Sequence, residues 1–168
     1  MSKVRQLTMD IDPVCRMQIE SVSPFHSVHR GISYTFCSEQ CLDAFQENAE
    51  LYVGLHHSEG ASAIIKERHI RLRSLSETEK STFIESLRSL MGLLVCEIDV
   101  NGLHLVYDLK QLNWVQIERL AISSGIWFGG AFGAFRRAVW RFTERNELKN
   151  LAHWSDPTCC NHPPTGTK

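Results

Sequence analysis

The sequence of 168 residues lacks a hydrophobic run long enough to cross a membrane. Its longest uncharged stretch, Leu120 to Phe135, is shorter than the roughly 18–20 residues of a spanning helix, and serines and glycines interrupt it. The N-terminal region carries charges throughout and has no apolar segment typical of a signal peptide. We therefore expect a cytoplasmic protein without a membrane span, whose cysteines stay reduced.

The sequence also lacks the features of nucleic-acid binders and of common enzymes. Its formal net charge is −1, and no helix-turn-helix pattern or strongly basic face is present, so we expect no nucleic-acid partner. It has no Cys-x-x-Cys pair, no nucleotide-binding glycine loop and no recognisable Ser/His/Asp set. We therefore expect a protein that is not an enzyme.

What the sequence does contain is six cysteines, three of them within residues 11–53. Three residues separate Cys37 from Cys41, and if Ser38 caps a helix, both thiols can face one site at its N-terminus. There the helix dipole and free N–H groups favour thiolates. Pro13 suits a turn that would bring Cys15 alongside. The pattern predicts Cys15, Cys37 and Cys41 as core ligands of a Zn(II) or Cu(I) ion.

Three thiolates leave a tetrahedral site one ligand short. The candidates for the fourth position are Met17, which would suit Cu(I), His26 or His29, which would suit Zn(II), and water. A segment of about 40 residues rarely folds alone without a metal, a disulfide or a partner. The alternative is that the three cysteines are small buried hydrophobic residues, as we expect for Cys96 in a predicted strand.

The middle of the chain has the periodicity of a β-α-β-β-α unit. The pattern predicts a half-buried strand at His69 to Arg73, a capping box formed by Ser76 and Glu79, and a hairpin at Asn101-Gly102. It further predicts an amphipathic helix from Trp114 to near Gly125 and a last strand at Ile126 to Phe128. This order is typical of a ferredoxin-like split βαβ arrangement.

An aromatic stripe follows at helical spacing. Arginines lie mostly on the other faces of this predicted helix, and the pattern favours packing of the aromatic face on the preceding domain. The alternative is a basic amphipathic helix that touches a membrane surface or an anionic polymer. The stripe consists of Phe128, Phe132, Phe135, Val139 and Phe142.

The C-terminal tail holds the vicinal pair Cys159 and Cys160, with His162 two residues further on. These side chains could hold a soft metal on a flexible arm, or they could be free thiols and an imidazole in a disordered tail. The polar stretch GLHHSEGAS before the middle segment reads as a linker.

These patterns predict an α+β chain of five parts. We expect a small cysteine-rich metal-binding module, a linker, a ferredoxin-like split βαβ domain, a C-terminal amphipathic helix and a flexible tail. The corresponding ranges are 11–53, 54–63, 64–128, 129–154 and 155–168.

The segments DPVCRM and YTFCSEQC, with Phe45 and Tyr52, resemble the YHS domain, a relative of the TRASH metal-binding domains. The resemblance covers about residues 11–53. It implies a small α+β metal-binding module of the kind attached to heavy-metal transport or sensing proteins. Arg16 stands where the family usually has glycine, which alters the turn but leaves the cysteines in place.

The middle segment resembles the heavy-metal-associated domain of copper chaperones and copper-pumping ATPases. The resemblance rests on the helix Phe83 to Leu90, Gly92-Leu93, the Asn101-Gly102 hairpin, Tyr107 and the stretch from Ile117 to Gly125. That family carries a Cys-x-x-Cys loop before its first helix, and these two positions fall on Ser76 and Glu79. Neither residue is a soft-metal ligand, so we expect this domain to be a docking surface or a scaffold.

Together these features predict a Zn(II)- or Cu(I)-binding carrier, buffer or adaptor in heavy-metal homeostasis. Its expected partner is a metal-transporting ATPase or another metal-handling protein, and homo-oligomer formation is left open. The alternative is a structural zinc module in a protein-interaction or metal-sensing regulatory protein.

Overall fold

The computed structural model describes residues 10–19, 23–53, 62–73, 75–99 and 102–154. Over these residues the chain mixes helices with three small antiparallel sheets, as the α+β prediction requires. Most of the predicted linker 54–63 and the predicted tail 155–168, with Cys159, Cys160 and His162, lie outside the described residues. Among the described helices, none combines the length and the apolar character needed to span a membrane.

The N-terminal unit is built from two short hairpins and one helix. Strands β1 (Asp10–Ile11) and β2 (Gln18–Ile19) form one hairpin. Strands β3 (Phe25–His29) and β4 (Ile32–Phe36) form the other, and helix α1 (Glu39–Glu47) follows directly. Their buried side chains form one small core of Val14, Phe36, Cys41, Ala44, Phe45 and Tyr52.

The second unit contains a three-stranded sheet with two helices. Its elements are β5 (Ile65–Ile70), α2 (Glu77–Arg88), β6 (Leu93–Asp99), β7 (Gly102–Asp108) and α3 (Trp114–Ser123). The strand order is β5-β7-β6, with every pairing antiparallel. The predicted capping box is confirmed, because Ser76 and Glu79 cap each other's backbone at the start of α2. The helix predicted from Trp114 is also confirmed.

Two strand predictions in this unit were wrong. The first strand was predicted at His69 to Arg73 but runs from Ile65 to Ile70, because Lys66 and Arg68 face inward and pair with Glu147 and Glu144. The predicted strand did not include these charged residues. The predicted last strand at Ile126 to Phe128 is reduced to a single bridge between Leu72 and Phe128. The ferredoxin-like assignment of this unit therefore stays a prediction.

The long C-terminal helix α4 (Ala131–Trp154) packs with the face opposite to the one predicted. Phe132, Phe135 and Phe142 are 92%, 71% and 68% exposed, so the prediction that the aromatic stripe packs on the preceding domain was wrong for these three residues. Phe128, which precedes the helix, does pack there, with its ring 5.5 Å from that of Trp114. The inward face instead uses Trp140, which packs on the Trp114 ring, and the buried side chains of Glu144 and Leu148. Trp140, Leu148 and the hydrogen-bonded Glu144, rather than the phenylalanines, hold this helix in place.

Candidate metal centre

The Cys15 loop connects β1 and β2 and is organised by one carboxylate. Asp12 is fully buried, and its Oδ1 accepts the backbone N–H groups of Val14 at 2.7 Å and Cys15 at 3.2 Å. The backbone N–H of Arg16 donates to the Asp12 carbonyl at 2.9 Å, and the Asp12 N–H donates to the Met17 carbonyl at 2.9 Å. These bonds close a tight loop that displays the Cys15 thiol.

Cys37 and Cys41 lie at the N-terminus of α1. The predicted helix cap is confirmed, since the Ser38 hydroxyl accepts the backbone N–H of Cys41 at 3.3 Å. Cys37 therefore precedes the cap, and Cys41 lies in the first turn, where the positive end of the helix dipole favours a thiolate. Cys41 is buried, whereas Cys15 and Cys37 are partly exposed.

The same Asp12 carboxylate joins the two halves of the site. Its second oxygen, Oδ2, accepts the backbone N–H of Cys37 at 2.7 Å. Three backbone N–H groups from two separate loops thus converge on one buried side chain. A carboxylate held in this way fixes the relative positions of the Cys15 loop and the α1 N-terminus, and it places a negative charge beside the thiols.

The three sulfurs lie at the spacing of ligands to a common metal ion. Cys15 Sγ is 3.5 Å from Cys37 Sγ, and Cys37 Sγ is 3.7 Å from Cys41 Sγ. Sulfurs about 2.3 Å from a tetrahedral zinc ion would be about 3.8 Å from each other. A disulfide would hold two sulfurs about 2.0 Å apart, so these thiols are unlinked. One ligand atom from each of Asp12, Cys15, Cys37 and Cys41 lies within 4.8 Å of all the others.

The three thiols differ in pKa. Hydrogen bonding from the Cys41 thiol lowers the pKa of Cys15 to about 6, which favours its thiolate. Burial raises the pKa of Cys37 to about 11, and the hydrogen bond to Cys15 raises the pKa of Cys41. A metal ion would displace the thiol protons that remain when it binds. The donor set fits Zn(II) or Cu(I), both of which accept thiolates.

The remaining predicted ligands lie away from this group or outside the described residues. His29 Nε2 is 3.1 Å from a Glu50 carboxylate oxygen, and its ring packs edge-on against Phe45. His26 is exposed on β3, and the structure brings neither histidine into the cysteine group. The Met17 side chain is half-exposed, while its backbone N–H bonds the Cys15 sulfur and helps to lower the Cys15 pKa. Cys159, Cys160 and His162 are not among the described residues.

The sequence analysis missed two residues that matter here. Asp12 precedes Pro13, and an Asp-Pro pair is a recognised turn signal, but its bond to Cys37 is long-range. Gln40 lies between Cys37 and Cys41, and its side chain reaches into the second unit. It donates to the carbonyls of Met91 at 2.8 Å and Gln111 at 3.1 Å, and it accepts the Met91 N–H at 2.9 Å. Neither long-range contact can be predicted from the residues that neighbour Asp12 or Gln40 in the sequence.

Comparison with known proteins supports the N-terminal assignment. The family model of the YHS domain matches residues 11–56, which include Cys15, Cys37 and Cys41. No curated protein and no solved structure matches the chain. The YHS match ends before β5, so the likeness of the second unit to heavy-metal-associated domains stays a prediction. The YHS domain is associated with metal binding, and the Asp12 and cysteine side chains form a group that could hold a metal ion.

Proposed function

We propose that this chain is a thiolate-based carrier of Zn(II) or Cu(I) that buffers or delivers the ion in heavy-metal handling. The observation that carries the proposal is the spacing of the three free thiols, with sulfurs 3.5 and 3.7 Å apart at one point of the fold. The YHS match over the same residues supports it. Cys15, Cys37 and Cys41 are the proposed ligands.

The proposed site has features that suit transfer of the ion. Three thiolates leave a position open, so an acceptor ligand can bind the metal before a protein ligand is released. Cys15 and Cys37 are partly exposed, which gives an incoming ligand access from one side. Asp12 already accepts three backbone N–H groups, so its proposed role is to hold the loops in position while ligands exchange.

A structural zinc module is the second candidate, and the Gln40 contacts favour it. The side chain between the two helix cysteines bonds to the backbone of Met91 and Gln111. Tyr52 adds a hydrogen bond from its hydroxyl to the Lys110 carbonyl at 2.6 Å. A metal that orders the N-terminal unit would thereby also support the second unit. In that case the ion would exchange slowly, because its release would be coupled to unfolding.

We propose a docking or scaffold role for the second unit. In the heavy-metal-associated alignment, Ser76 and Glu79 occupy the two cysteine positions, and both side chains are engaged in capping α2. These two side chains therefore cap the first turn of α2 and are not available as metal ligands. A metal-transporting ATPase or another metal-handling protein is the proposed partner.

Metal exchange separates the two candidate functions. Untagged full-length chain would be loaded with one equivalent of Zn(II) or Cu(I) under anaerobic conditions and mixed with increasing concentrations of a chelator. A carrier predicts a transfer rate that rises with chelator concentration, because the chelator attacks the bound ion. A rate that does not depend on chelator and equals the rate of unfolding would reject the carrier and leave the structural module.

A further inference from the structure

A second group of metal-ligating side chains lies on the face of the sheet away from the buried core. In the pairing of β5 with β7, His69 stands directly opposite His104, and in the pairing of β6 with β7, Glu97 stands opposite His104. Successive side chains on a strand alternate between faces, so Glu67 shares the face of His69. The register thus places two imidazoles and two carboxylates together.

The imidazoles converge on one carboxylate oxygen. His104 Nε2 is 2.9 Å from Glu67 Oε1, and His69 Nε2 is 3.3 Å from the same atom. The two rings are stacked with their centroids 4.3 Å apart and an angle of 5° between their planes. One ligand atom from each of these three residues lies within 4.8 Å of the others, so small side-chain rotations would direct all three at a shared ion.

Glu97 occupies the position of an outer partner to this group. Its Oε2 is 3.8 Å from His104 Nδ1, the ring nitrogen opposite the one that faces Glu67. Metal-bound histidines commonly have a carboxylate on their other ring nitrogen, which fixes the tautomer and makes the ligand more basic. His104 is also the more enclosed of the two imidazoles, with 25% of its side chain exposed against 71% for His69.

The group borders a cleft that could admit a further ligand. The cleft has a volume of about 670 Å³, and its lining includes His69, His104, Glu97, Phe132 and Arg136. The start of α4 is tied to this edge, because Arg136 Nη2 donates to the His69 carbonyl at 2.7 Å. His69 and His104, two of the three side chains in the group, line this cleft, so an ion held by them would have coordination positions open towards it.

We propose that Glu67, His69 and His104 form a second metal site for a borderline divalent ion of the first transition row, such as Zn(II), Ni(II) or Co(II). Imidazole and carboxylate ligands suit such ions, whereas Cu(I) prefers the sulfur ligands of the cysteine centre. The two sites share no residue. The chain would therefore hold two centres of different ligand chemistry, with Glu97 positioning His104.

Co(II) titration of untagged full-length chain under anaerobic conditions tests this proposal, because the two centres differ in absorption. Thiolate ligands give an intense near-ultraviolet charge-transfer band, and imidazole and carboxylate ligands do not. We expect two equivalents of Co(II) to bind, of which only one produces the band. His69→Ala and His104→Ala should each weaken the second equivalent by at least tenfold and leave the band unchanged. Glu97→Gln should weaken it by a smaller factor than the histidine substitutions, because Glu97 Oε2 lies 3.8 Å from His104 Nδ1, beyond hydrogen-bond distance.

His26→Ala is the matched control, since His26 is an exposed strand histidine outside both groups. It should bind both equivalents as the unmodified chain does. Absence of a second Co(II), or its retention at full affinity in both His69→Ala and His104→Ala, would overturn the proposal. Loss of the charge-transfer band alone would instead count against the cysteine centre. Circular dichroism of the variants would verify that these surface substitutions leave the fold intact.

Discussion

The Asp12 carboxylate accepts the backbone N–H of Cys37 at 2.7 Å, across a sequence separation of 25 residues. Its other oxygen binds the N–H groups of Val14 and Cys15, so one buried side chain positions both halves of the cysteine centre. A charged acceptor forms stronger hydrogen bonds than a neutral one. The arrangement makes Asp12 a positioning residue for the thiols.

Asp12→Asn should weaken metal binding about 10–100-fold, the effect typical of losing an outer partner of metal ligands. The asparagine side chain keeps one acceptor oxygen, but its NH2 group is a donor. That group would face a backbone N–H, which is also a donor, and the hydrogen bond would be lost. Competition with a chelator of known affinity measures the change. Asp10→Asn is the control, because Asp10 is an exposed carboxylate that accepts the Thr35 hydroxyl at 3.3 Å and, among the residues that the structure describes, no backbone N–H of the cysteine centre. Equal affinities of the two variants would refute the role assigned to Asp12.

Arg16→Gly should stabilise the N-terminal unit. Arg16 has a φ of 66°, in the left-handed region that costs a residue with a Cβ about 1–2 kcal/mol. Glycine removes that cost but loses about 0.5–1 kcal/mol through its greater freedom in the unfolded chain. We therefore expect a net gain of up to about 1.5 kcal/mol in the free energy of unfolding, measured by urea titration. Gly31→Ala is the converse control, since Gly31 has a φ of 80° in open space and should lose stability.

Gln40→Ala should weaken the coupling of the N-terminal unit to the second unit. The substitution removes three hydrogen bonds to Met91 and Gln111, at a cost of about 1–3 kcal/mol because the backbone groups lose their partners. Urea unfolding followed by tryptophan fluorescence reports the second unit, and Co(II) charge-transfer absorbance reports the first. The two transitions should coincide in the unmodified chain and separate in Gln40→Ala.

Gln46→Ala provides the comparison for this experiment. Gln46 lies on the same helix, and its side chain is exposed. Its two transitions should still coincide. Separate transitions already present in the unmodified chain would show that Gln40 does not couple the units.

Glu144→Ala should destabilise the second unit by about 3–5 kcal/mol, because it leaves a largely buried arginine without its partner. Glu144 is 2% exposed and contacts Arg68 Nη2 at 2.9 Å, the Tyr107 hydroxyl at 2.6 Å and the Trp114 N–H at 2.7 Å. The free energy of unfolding from urea titration measures this effect. Glu147→Ala breaks only the more exposed pair with Lys66 and should cost much less. Similar losses in the two variants would contradict the anchoring role of Glu144.

Local sequence signals predicted several parts of the structure. The Ser38 cap, the Ser76/Glu79 capping box and the helix at Trp114 are confirmed, because each depends on residues within one turn of the element. The grouping of Cys15 with Cys37 and Cys41 also depended on local features, namely a turn at Pro13 and a helix start at Ser38. The YHS resemblance over the N-terminal segment is confirmed by the family match.

Long-range contacts account for what the sequence did not predict. Lys66 and Arg68 point inward because acidic residues of α4 meet them, and periodicity alone treats such residues as outward. The aromatic stripe of α4 was assigned to the wrong face, since Trp140 and Glu144 supply the packing instead. The grouping of Glu67, His69 and His104 depends on the pairing of β5 with β7. The strand predicted at residues 69–73 did not include Glu67, so the sequence could not indicate this group.

X-ray absorption spectroscopy of the untagged full-length chain, loaded with one equivalent of Zn(II) or Cu(I), would identify the ligands of the bound ion. We expect three sulfur ligands, at about 2.3 Å for zinc, and loss of sulfur ligands in Cys15→Ser, Cys37→Ser and Cys41→Ser. Cys96→Ser should leave the spectrum unchanged, because Cys96 is buried in the separate core of the second unit. A spectrum with only nitrogen and oxygen ligands, or a chain that binds neither ion, would refute the proposed thiolate centre.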